Sequence, residues 1–266
     1  MTAQTPPTPP TPPIPRDIPD LPAIPGIPAL MPSAVPATAV VAPARHPWAA
    51  LYRVLVAAMS ATAVTADMLI GPAARVACDF TVQANILLIL VLTLSARRAW
   101  SALRPLPSGL TGAAVFYVTI AGLVHHLLPA GASITGAPGT HPLWQSTAAH
   151  VLHTAAPIAA LLDWLLLTAP DRLQLRMAAP WLLYPLAYLA FSLIRGELLP
   201  PGTPDRYLYP FLDAAQHGYK HILGNALLLG LSFYALALLL VALDHARPNP
   251  VRRRTKTGFR LRPPVG

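Results

Sequence analysis

Two histidines and a threonine lie well inside one of the apolar stretches of this 266-residue chain. His150, His153 and Thr154 belong to residues 143–167, a stretch long enough to cross a bilayer as a helix. On a helix, these three positions and Pro157 share one face. Polar side chains at such depth are costly unless they face a protein interior, so they are candidate functional residues. Their imidazoles could accept protons or ligate a haem.

Polar residues also lie near one end of the other apolar runs. They include Thr81, Gln83, Asn85, His125 and Asp213. If successive runs cross the membrane in alternate directions, these residues fall in the same half of the membrane as the histidine pair. We interpret this as a shared pocket open toward the outer leaflet. The competing interpretation is interhelical hydrogen bonding without chemistry, which is the more common role of an asparagine such as Asn85 in a membrane helix.

The composition is that of an integral membrane protein. The chain is 54% hydrophobic and only 11% charged, whereas soluble domains carry about 25% charged residues. The net charge of +9 comes from residues in the tails and between the apolar runs, so it indicates membrane topology and no nucleic-acid partner. Cys78 is the only cysteine, which excludes an internal disulfide and any cysteine-based zinc or iron–sulfur site. We predict no metal and no cofactor.

Six apolar runs predict an all-α fold, a polytopic membrane bundle of about six transmembrane helices. Prolines separate the runs, as helix-breaking residues should. Pro180 falls in the first turn of the fifth run, whereas Pro185 should kink that helix. The predicted spans are residues 48–70, 76–94, 110–128, 143–167, 178–199 and 211–243.

Two tails flank the predicted membrane domain, residues 47–246. Residues 1–46 are so rich in proline that a disordered, polyproline-like tail is predicted. Residues 247–266 are basic and contain no acidic residue, so they can lie against an anionic leaflet. The distribution of Lys and Arg among the connections places both termini in the cytoplasm of a multi-pass cell-membrane protein, with membrane lipids as its partners.

One carboxylate is predicted at the opposite, cytoplasmic half of the membrane. Asp163 lies near the end of the fourth run, off the face that carries the histidines. We expect it to form an ion pair with Arg172 or Arg176, which follow in sequence.

Three stretches together resemble a known family, the six-helix androgen-induced membrane proteins and their bacterial relatives. The similarity covers about residues 48–245 and excludes both tails. The matching pieces are Phe80-Thr81 with Gln83 and Asn85, His150-x-x-His153-Thr154-x-x-Pro157 with Asp163-Trp164, and Tyr209-Pro210-Phe211-Leu212-Asp213. In the eukaryotic pattern an Asp or Asn follows the threonine by three positions, whereas here position 84 is Ala and Asn85 comes one residue later.

The resemblance implies a membrane hydrolase that cleaves fatty-acid esters of hydroxy fatty acids. It places the threonine nucleophile at Thr81 and the intramembrane histidine at His153. A threonine hydroxyl attacks only when a base accepts its proton, and imidazole titrates in a suitable range. Gln83, Asn85 or Thr154 could donate to the oxyanion, and His150 or Asp213 could orient the imidazole.

Two other classes of function remain open from the sequence. Histidines on neighbouring membrane helices, such as His125 and His153, can ligate haem, so a haem- or ligand-binding protein without hydrolytic activity is one alternative. A transporter is another, although the chain has no convincing internal repeat of the kind that transporters often show.

Overall fold

The computed structural model describes residues 45–128, 142–170, 172–203 and 206–248. The predicted tails, residues 1–46 and 247–266, lie almost entirely outside this part of the chain. The described residues form helices and no strands, and six helical segments are long and apolar enough to cross a membrane. The predicted all-α fold with six spans is therefore confirmed. These spans, called first to sixth below, are Pro47–Ile70, Phe80–Trp100, Ser108–Leu127, Ser146–Leu167, Leu175–Leu198 and Gly218–Ala246.

Several spans consist of more than one helical piece. A short helix, Ala73–Ala77, precedes the second span. The fourth span comprises α-helical Pro142–His150 and Ala156–Leu162 and two π-helical turns, Val151–Ala155 and Asp163–Leu167. The fifth comprises a 3₁₀ turn, Leu175–Met177, and helices Ala178–Trp181 and Leu183–Leu198. A 3₁₀ turn, Pro210–Leu212, precedes the last helix, Ala214–Ala246.

The second span begins and ends later than its hydropathy predicts. Asp79 caps its first turn, because its Oδ1 accepts a hydrogen bond from the Thr81 amide at 2.8 Å. At the other end the helix continues through Arg97 and Arg98 to Trp100. Two cations near a helix C-terminus interact favourably with the helix dipole, and their long side chains can reach the membrane surface.

Backbone irregularities in the fifth and sixth spans follow from proline and glycine. Pro185 has no N–H for the carbonyl of Trp181, and the fifth span is interrupted between Trp181 and Leu183. The kink predicted at Pro185 stays a prediction, and the interruption lies three residues before it, at Leu182. In the last helix, Gly218 adopts φ 72° and ψ 154°, a conformation that is accessible mainly to glycine. The sixth span therefore starts at Gly218, seven residues later than predicted.

The third span forms the centre of the bundle. Every residue from Gly112 to Gly122 is buried, although these residues cover all sides of the helix. An apolar helix that is buried all round must be surrounded by other elements. The sixth span is the opposite case, with several leucines of one face more than 60% exposed. In a membrane protein such a face contacts lipid.

Because successive spans alternate in direction, the bundle has two ends with different residues. The Asp79 end contains the start of the second span and the Arg247 end contains the end of the sixth. At the Arg247 end, Asp163 pairs with Arg53 of the first span at 2.8 Å. The expected pairing of Asp163 with Arg172 or Arg176 is therefore wrong, because packing of the first span against the fourth brings Arg53 closer.

Arg247 ties the sixth span to the end of the fourth. Its guanidinium donates to the carboxylate of Asp244 and to four backbone carbonyls at the end of the fourth span. The last carbonyls of a helix have no donor within the helix, so an arginine satisfies them efficiently. These carbonyls belong to Trp164, Leu165, Thr168 and Ala169.

Candidate active site

A cavity of about 500 Å³ lies at the Asp79 end of the bundle. Both residues of the predicted catalytic pair, Thr81 and His153, line it, and so does His125. Its other walls are almost entirely apolar and aromatic. A volume of this size accommodates a small-molecule ligand or a section of an acyl chain. The lining residues also include Asp79, Tyr188, Tyr209, Leu223, Leu227 and Leu231.

Thr81 lies in the first turn of the second span, against the carboxylate of Asp79. Asp79 accepts hydrogen bonds from the Thr81 amide at 2.8 Å and from the Tyr209 hydroxyl at 3.1 Å. The Thr81 side chain lies close enough to this carboxylate to lower its pKa. The arrangement places an acceptor for a hydroxyl proton directly beside the predicted nucleophile.

Burial changes the basicity of this carboxylate. Desolvation raises the pKa of Asp79, while hydrogen bonds from Thr81 and Tyr209 lower it and the charge of Arg75 lowers it least. The net result is a pKa above the ordinary value for aspartate. The pKa of Tyr209 is raised well above its ordinary value by burial and by the nearby Asp79, so this phenol keeps its proton and donates. Asp79 is therefore a stronger base than an exposed aspartate.

The ring of His153, which also lines the cavity, is held in one tautomer. Its Nδ1 is 3.0 Å from the backbone carbonyl of Ala149. Since a carbonyl only accepts, Nδ1 carries the proton and Nε2 of the neutral ring is left as an acceptor. The ring stacks on that of His125, with centroids 4.1 Å apart and planes inclined by 25°. His153 therefore has the tautomer that a general base on this wall needs.

A π-helical turn and a glycine determine where His153 lies. Pro157 has no N–H for the His153 carbonyl, and Ala156 donates to Val151, five residues back. Turns of this kind occur frequently at functional sites. On the third span, a Cβ added to Gly122 would lie 2.9 Å from the His153 carbonyl oxygen. Glycine at this position therefore allows the third and fourth spans to approach closely.

Two predicted pocket residues link helices instead of lining the cavity. The Gln83 amide donates to the Ala77 carbonyl at 2.9 Å, and its Oε1 accepts from Tyr184 at 2.7 Å. Asn85 is fully buried and donates to the carbonyls of Thr81, at 2.9 Å, and Leu152, at 3.4 Å. Asn85 thus connects the backbones that carry the two predicted catalytic residues.

The other predicted pocket residues also lie outside the cavity wall. Thr154 contacts Nε2 of His126 at 2.9 Å, at a more exposed position. His150 is exposed. Asp213 is half-buried and follows Leu212, which lines the cavity. The structure thus brings together Thr81, His153 and His125 out of the predicted set.

Sequence reasoning assigned no role in the site to Asp79, Tyr209 or Tyr188. Tyr209 lies 130 residues from Asp79 in sequence and reaches it only because the chain after the fifth span folds back over the cavity. Tyr188 donates to the Cys78 carbonyl at 2.9 Å. One signal was present, since an aspartate two residues before a threonine at a helix start is a typical N-cap that also faces the first turn.

The cavity reaches the lipid-facing surface along the sixth span. Leu223, Leu227 and Leu231 line it at intervals of four residues and are 72%, 66% and 61% exposed. Residues at this spacing form one stripe on a helix. The stripe contacts the cavity on one side and the surroundings on the other, so the cavity is accessible sideways from the bilayer.

The histidines do not form a metal-binding arrangement. Within residues 45–128, 142–170, 172–203 and 206–248, no group of three or more His, Cys, Asp or Glu could hold a metal ion. The stacked rings of His125 and His153 leave no space for a porphyrin between them. This pair therefore does not have the geometry of two axial haem ligands.

Comparison of the sequence with models of known protein families found no match, and neither did comparisons with curated proteins and with solved structures. The resemblance to the androgen-induced membrane proteins accordingly rests on the three motifs in the sequence.

Proposed function

We propose that this integral membrane protein hydrolyses long-chain carboxylic esters, with Thr81 as the nucleophile. One observation carries the proposal: the Thr81 hydroxyl, with a buried carboxylate against it, shares an apolar cavity with an imidazole whose Nε2 is an acceptor. A weak nucleophile, an adjacent base and a water-poor wall are what acyl transfer to a hydroxyl requires.

In the first step, Thr81 Oγ1 attacks the ester carbonyl carbon and its proton passes to Asp79. The carbonyl oxygen becomes an oxyanion. Once protonated, Asp79 accepts less strongly, so the Tyr209 hydroxyl can donate to the oxyanion. When the tetrahedral intermediate collapses, the bond from carbon to the alcohol oxygen breaks and the alcohol leaves with the proton from Asp79. Thr81 then carries the acyl group as an ester.

In the second step, His153 acts as the general base. Its Nε2 accepts a proton from a water molecule, the resulting hydroxide attacks the acyl-threonine, and the proton returns to Thr81 Oγ1 as the acid leaves. This division assigns Asp79 to acylation and His153 to deacylation. It differs from the predicted role of His153 as the base for Thr81, and the two assignments give opposite results in the experiment below.

The shape and position of the cavity support a lipid as substrate. The exposed leucines of the sixth span give an acyl chain a lateral route from the bilayer. Fatty-acid esters of hydroxy fatty acids, the class that the resemblance implies, have a chain on each side of the ester group. If the arginine-rich Arg247 end is cytoplasmic, as the positive-inside rule implies, the reaction takes place in the outer half of the membrane.

The test is labelling of membranes with a fluorophosphonate, followed by release of fatty acid from a long-chain ester. Wild type should label and turn over, and Thr81→Val should do neither. Asp79→Asn should label much more slowly, because the base contributes about 10²–10⁴-fold to the rate. His153→Gln should form an acyl-enzyme at a near-normal rate and accumulate it.

Two matched controls separate chemistry from structure. Thr119 is a buried threonine of the third span whose hydroxyl bonds to the Val115 carbonyl at 2.7 Å, away from the cavity. His245 makes the same type of Nδ1 bond as His153, to the Val241 carbonyl at 2.8 Å. Thr119→Val and His245→Gln should label like wild type. Labelling of Thr81→Val at the wild-type level would refute the proposal, and so would a wild type that neither labels nor hydrolyses.

A further inference from the structure

A second cavity, of about 1130 Å³, lies at the Arg247 end of the bundle. It is formed by the start of the first span, the connection between the second and third, the end of the fourth and the end of the sixth. Residues of this cavity are separate from those of the candidate active site. Its basic lining residues are Arg45, His46, Arg53, Arg98, Arg172 and Arg247.

The cavity carries more positive charge than its own acidic residues neutralise. Asp163 and Asp244 are the only carboxylates among its described lining residues. Asp163 is paired with Arg53 at 2.8 Å, and Asp244 is paired with Arg247. Each carboxylate is therefore already engaged by one arginine.

Both carboxylate oxygens of Asp244 already accept hydrogen bonds. Its Oδ1 accepts from the Arg247 guanidinium, and its Oδ2 accepts from the amides of Arg172 and Leu173 at 2.7 Å each. Asp244 is fully buried. It has no capacity left to neutralise a further cation in the cavity.

Three arginines of the cavity thus have no carboxylate partner within the described part of the chain. They are Arg45 before the first span, Arg98 in the last turn of the second span and Arg172 between the fourth and fifth spans. Arg98 donates to the Arg104 carbonyl at 3.1 Å, a neutral acceptor. Three cations gathered on one cavity repel each other, and a bound anion offsets that repulsion.

Most of the remaining lining is apolar, and part of it is exposed. Trp48, Leu103 and Leu166 line the cavity and are 81%, 55% and 74% exposed. Tryptophan at the end of a span is typical of the level of the lipid headgroups. Basic groups beside exposed apolar groups at this level match an amphiphile with an anionic head, whereas a soluble anion gains nothing from the apolar part.

We propose that this cavity binds the phosphate headgroup of an anionic phospholipid between Arg45, Arg98 and Arg172, with an acyl chain along the leucines beside it. Guanidinium groups recognise phosphate by charge-assisted, bidentate hydrogen bonds. The site is independent of the proposed hydrolysis, which takes place at the other end of the bundle.

The experiment compares two triple variants of the purified full-length protein by native mass spectrometry. The cavity variant is Arg45→Gln/Arg98→Gln/Arg172→Gln. The matched control removes the same charge from the same end at arginines that do not line the cavity: Arg97→Gln/Arg104→Gln/Arg176→Gln. The ligands are phosphatidylglycerol, phosphatidylcholine and inorganic phosphate.

Wild type and the control triple should retain one phosphatidylglycerol in preference to phosphatidylcholine. The cavity triple should lose about 100-fold in affinity, about fivefold for each arginine near an anionic lipid. A charge-preserving variant, Arg45→Lys/Arg98→Lys/Arg172→Lys, should bind more weakly than wild type but clearly more tightly than the glutamine variant, because it keeps the charge and loses the bidentate geometry.

Three outcomes would overturn the proposal. Equal loss of phosphatidylglycerol in both glutamine triples would mean attraction by surface charge in general. Equal retention of phosphatidylcholine by wild type would exclude recognition of an anionic head. Displacement of phosphatidylglycerol by inorganic phosphate alone, at equal occupancy of the site, would identify a soluble anion as the ligand.

Discussion

The two ends of the bundle bury carboxylates in different surroundings. At the Arg247 end, Asp163 and Asp244 each contact an arginine. At the Asp79 end, the Asp79 carboxylate contacts an amide and two hydroxyls, and the charge of Arg75 has the smallest of the favourable effects on its pKa. A cation beside a buried carboxylate stabilises its charged form directly, whereas neutral donors offset less of the cost of burying that charge.

This difference separates a structural role from a chemical one. The arginine-paired aspartates join the first and sixth spans to the fourth, so they fix the arrangement of helices. Among the described residues, no arginine forms an ion pair with Asp79, which adjoins a hydroxyl and lines a cavity. Groups with perturbed pKa values in a cavity are typical of functional sites.

Arg247→Met should cause the largest loss of stability. It removes the cation from a fully buried Asp244 and the donor from four carbonyls, and breaking a buried pair costs about 3–5 kcal/mol. Thermal unfolding in detergent measures the effect. Arg104→Met, an exposed arginine of the same end, should change the melting temperature little. A small effect of Arg247→Met would mean that the two ends do not differ as described.

Gly122→Ala should cost about 1–3 kcal/mol, because its methyl group would press on the His153 carbonyl and overpack the contact between the third and fourth spans. It should also lower turnover by displacing His153. The control is Gly109→Ala in the same span, where the nearest atom, Sδ of Met177, is 3.9 Å from the added Cβ. Equal stability of the two variants would contradict the close approach.

Asp79→Asn and Asp163→Asn should change stability in opposite directions. Asp163→Asn leaves Arg53 without its carboxylate and should destabilise. Burial raises the pKa of Asp79, which means that the charged carboxylate is unfavourable in the folded protein. Asp79→Asn removes that charge, so it should stabilise the protein at neutral pH while abolishing turnover. Destabilisation by both substitutions would show that the Asp79 charge is structurally required.

Burial of Asp79 also makes the folding stability depend on pH. The raised pKa means that folded protein binds the Asp79 proton more tightly than unfolded protein does. Its contribution to stability is therefore present below the ordinary carboxyl pKa and is lost as pH rises through the raised value. Melting temperatures of wild type should fall relative to Asp79→Asn over that interval, and a constant difference would contradict the assignment.

Leu227→Trp should leave stability unchanged and affect only the substrate. A larger side chain on the cavity side of the sixth span should lower kcat/KM for a long-chain ester by about tenfold and spare a short acetyl ester. Leu228→Trp is the control, because Leu228 is equally exposed, at 66%, but does not line the cavity. Equal effects of both substitutions would exclude the lateral route.

Local features of the sequence predicted much of the fold. Six apolar runs separated by prolines correspond to six spans, and the interruption in the fifth lies three residues before Pro185. The ends of the spans were less predictable, because hydropathy does not detect a capping residue such as Asp79 or a glycine such as Gly218 with a positive φ. These depend on side-chain hydrogen bonds and backbone conformation.

The candidate site was predictable only in part, since long-range packing determines it. Similar depths in the membrane were enough to bring Thr81 and His153 to one cavity. The contact of Tyr209 with Asp79 depends on the path of the chain after the fifth span, which no local pattern specifies. Gln83 and Asn85 have residue types that suit an oxyanion site. Their side-chain amides are instead engaged in hydrogen bonds to neighbouring segments, which the sequence does not reveal.

The π-helical turn at Val151–Ala155 has a consequence for how the site could change over evolution. Such a turn holds one residue more than the α-helix that it interrupts, and each residue of an α-helix corresponds to a rotation of about 100°. Deleting a single residue there would restore a regular helix and move the imidazole relative to Thr81, with which it shares the cavity. The far half of the span would keep its register, so one deletion could convert a reactive ancestor into an inert descendant of the same shape.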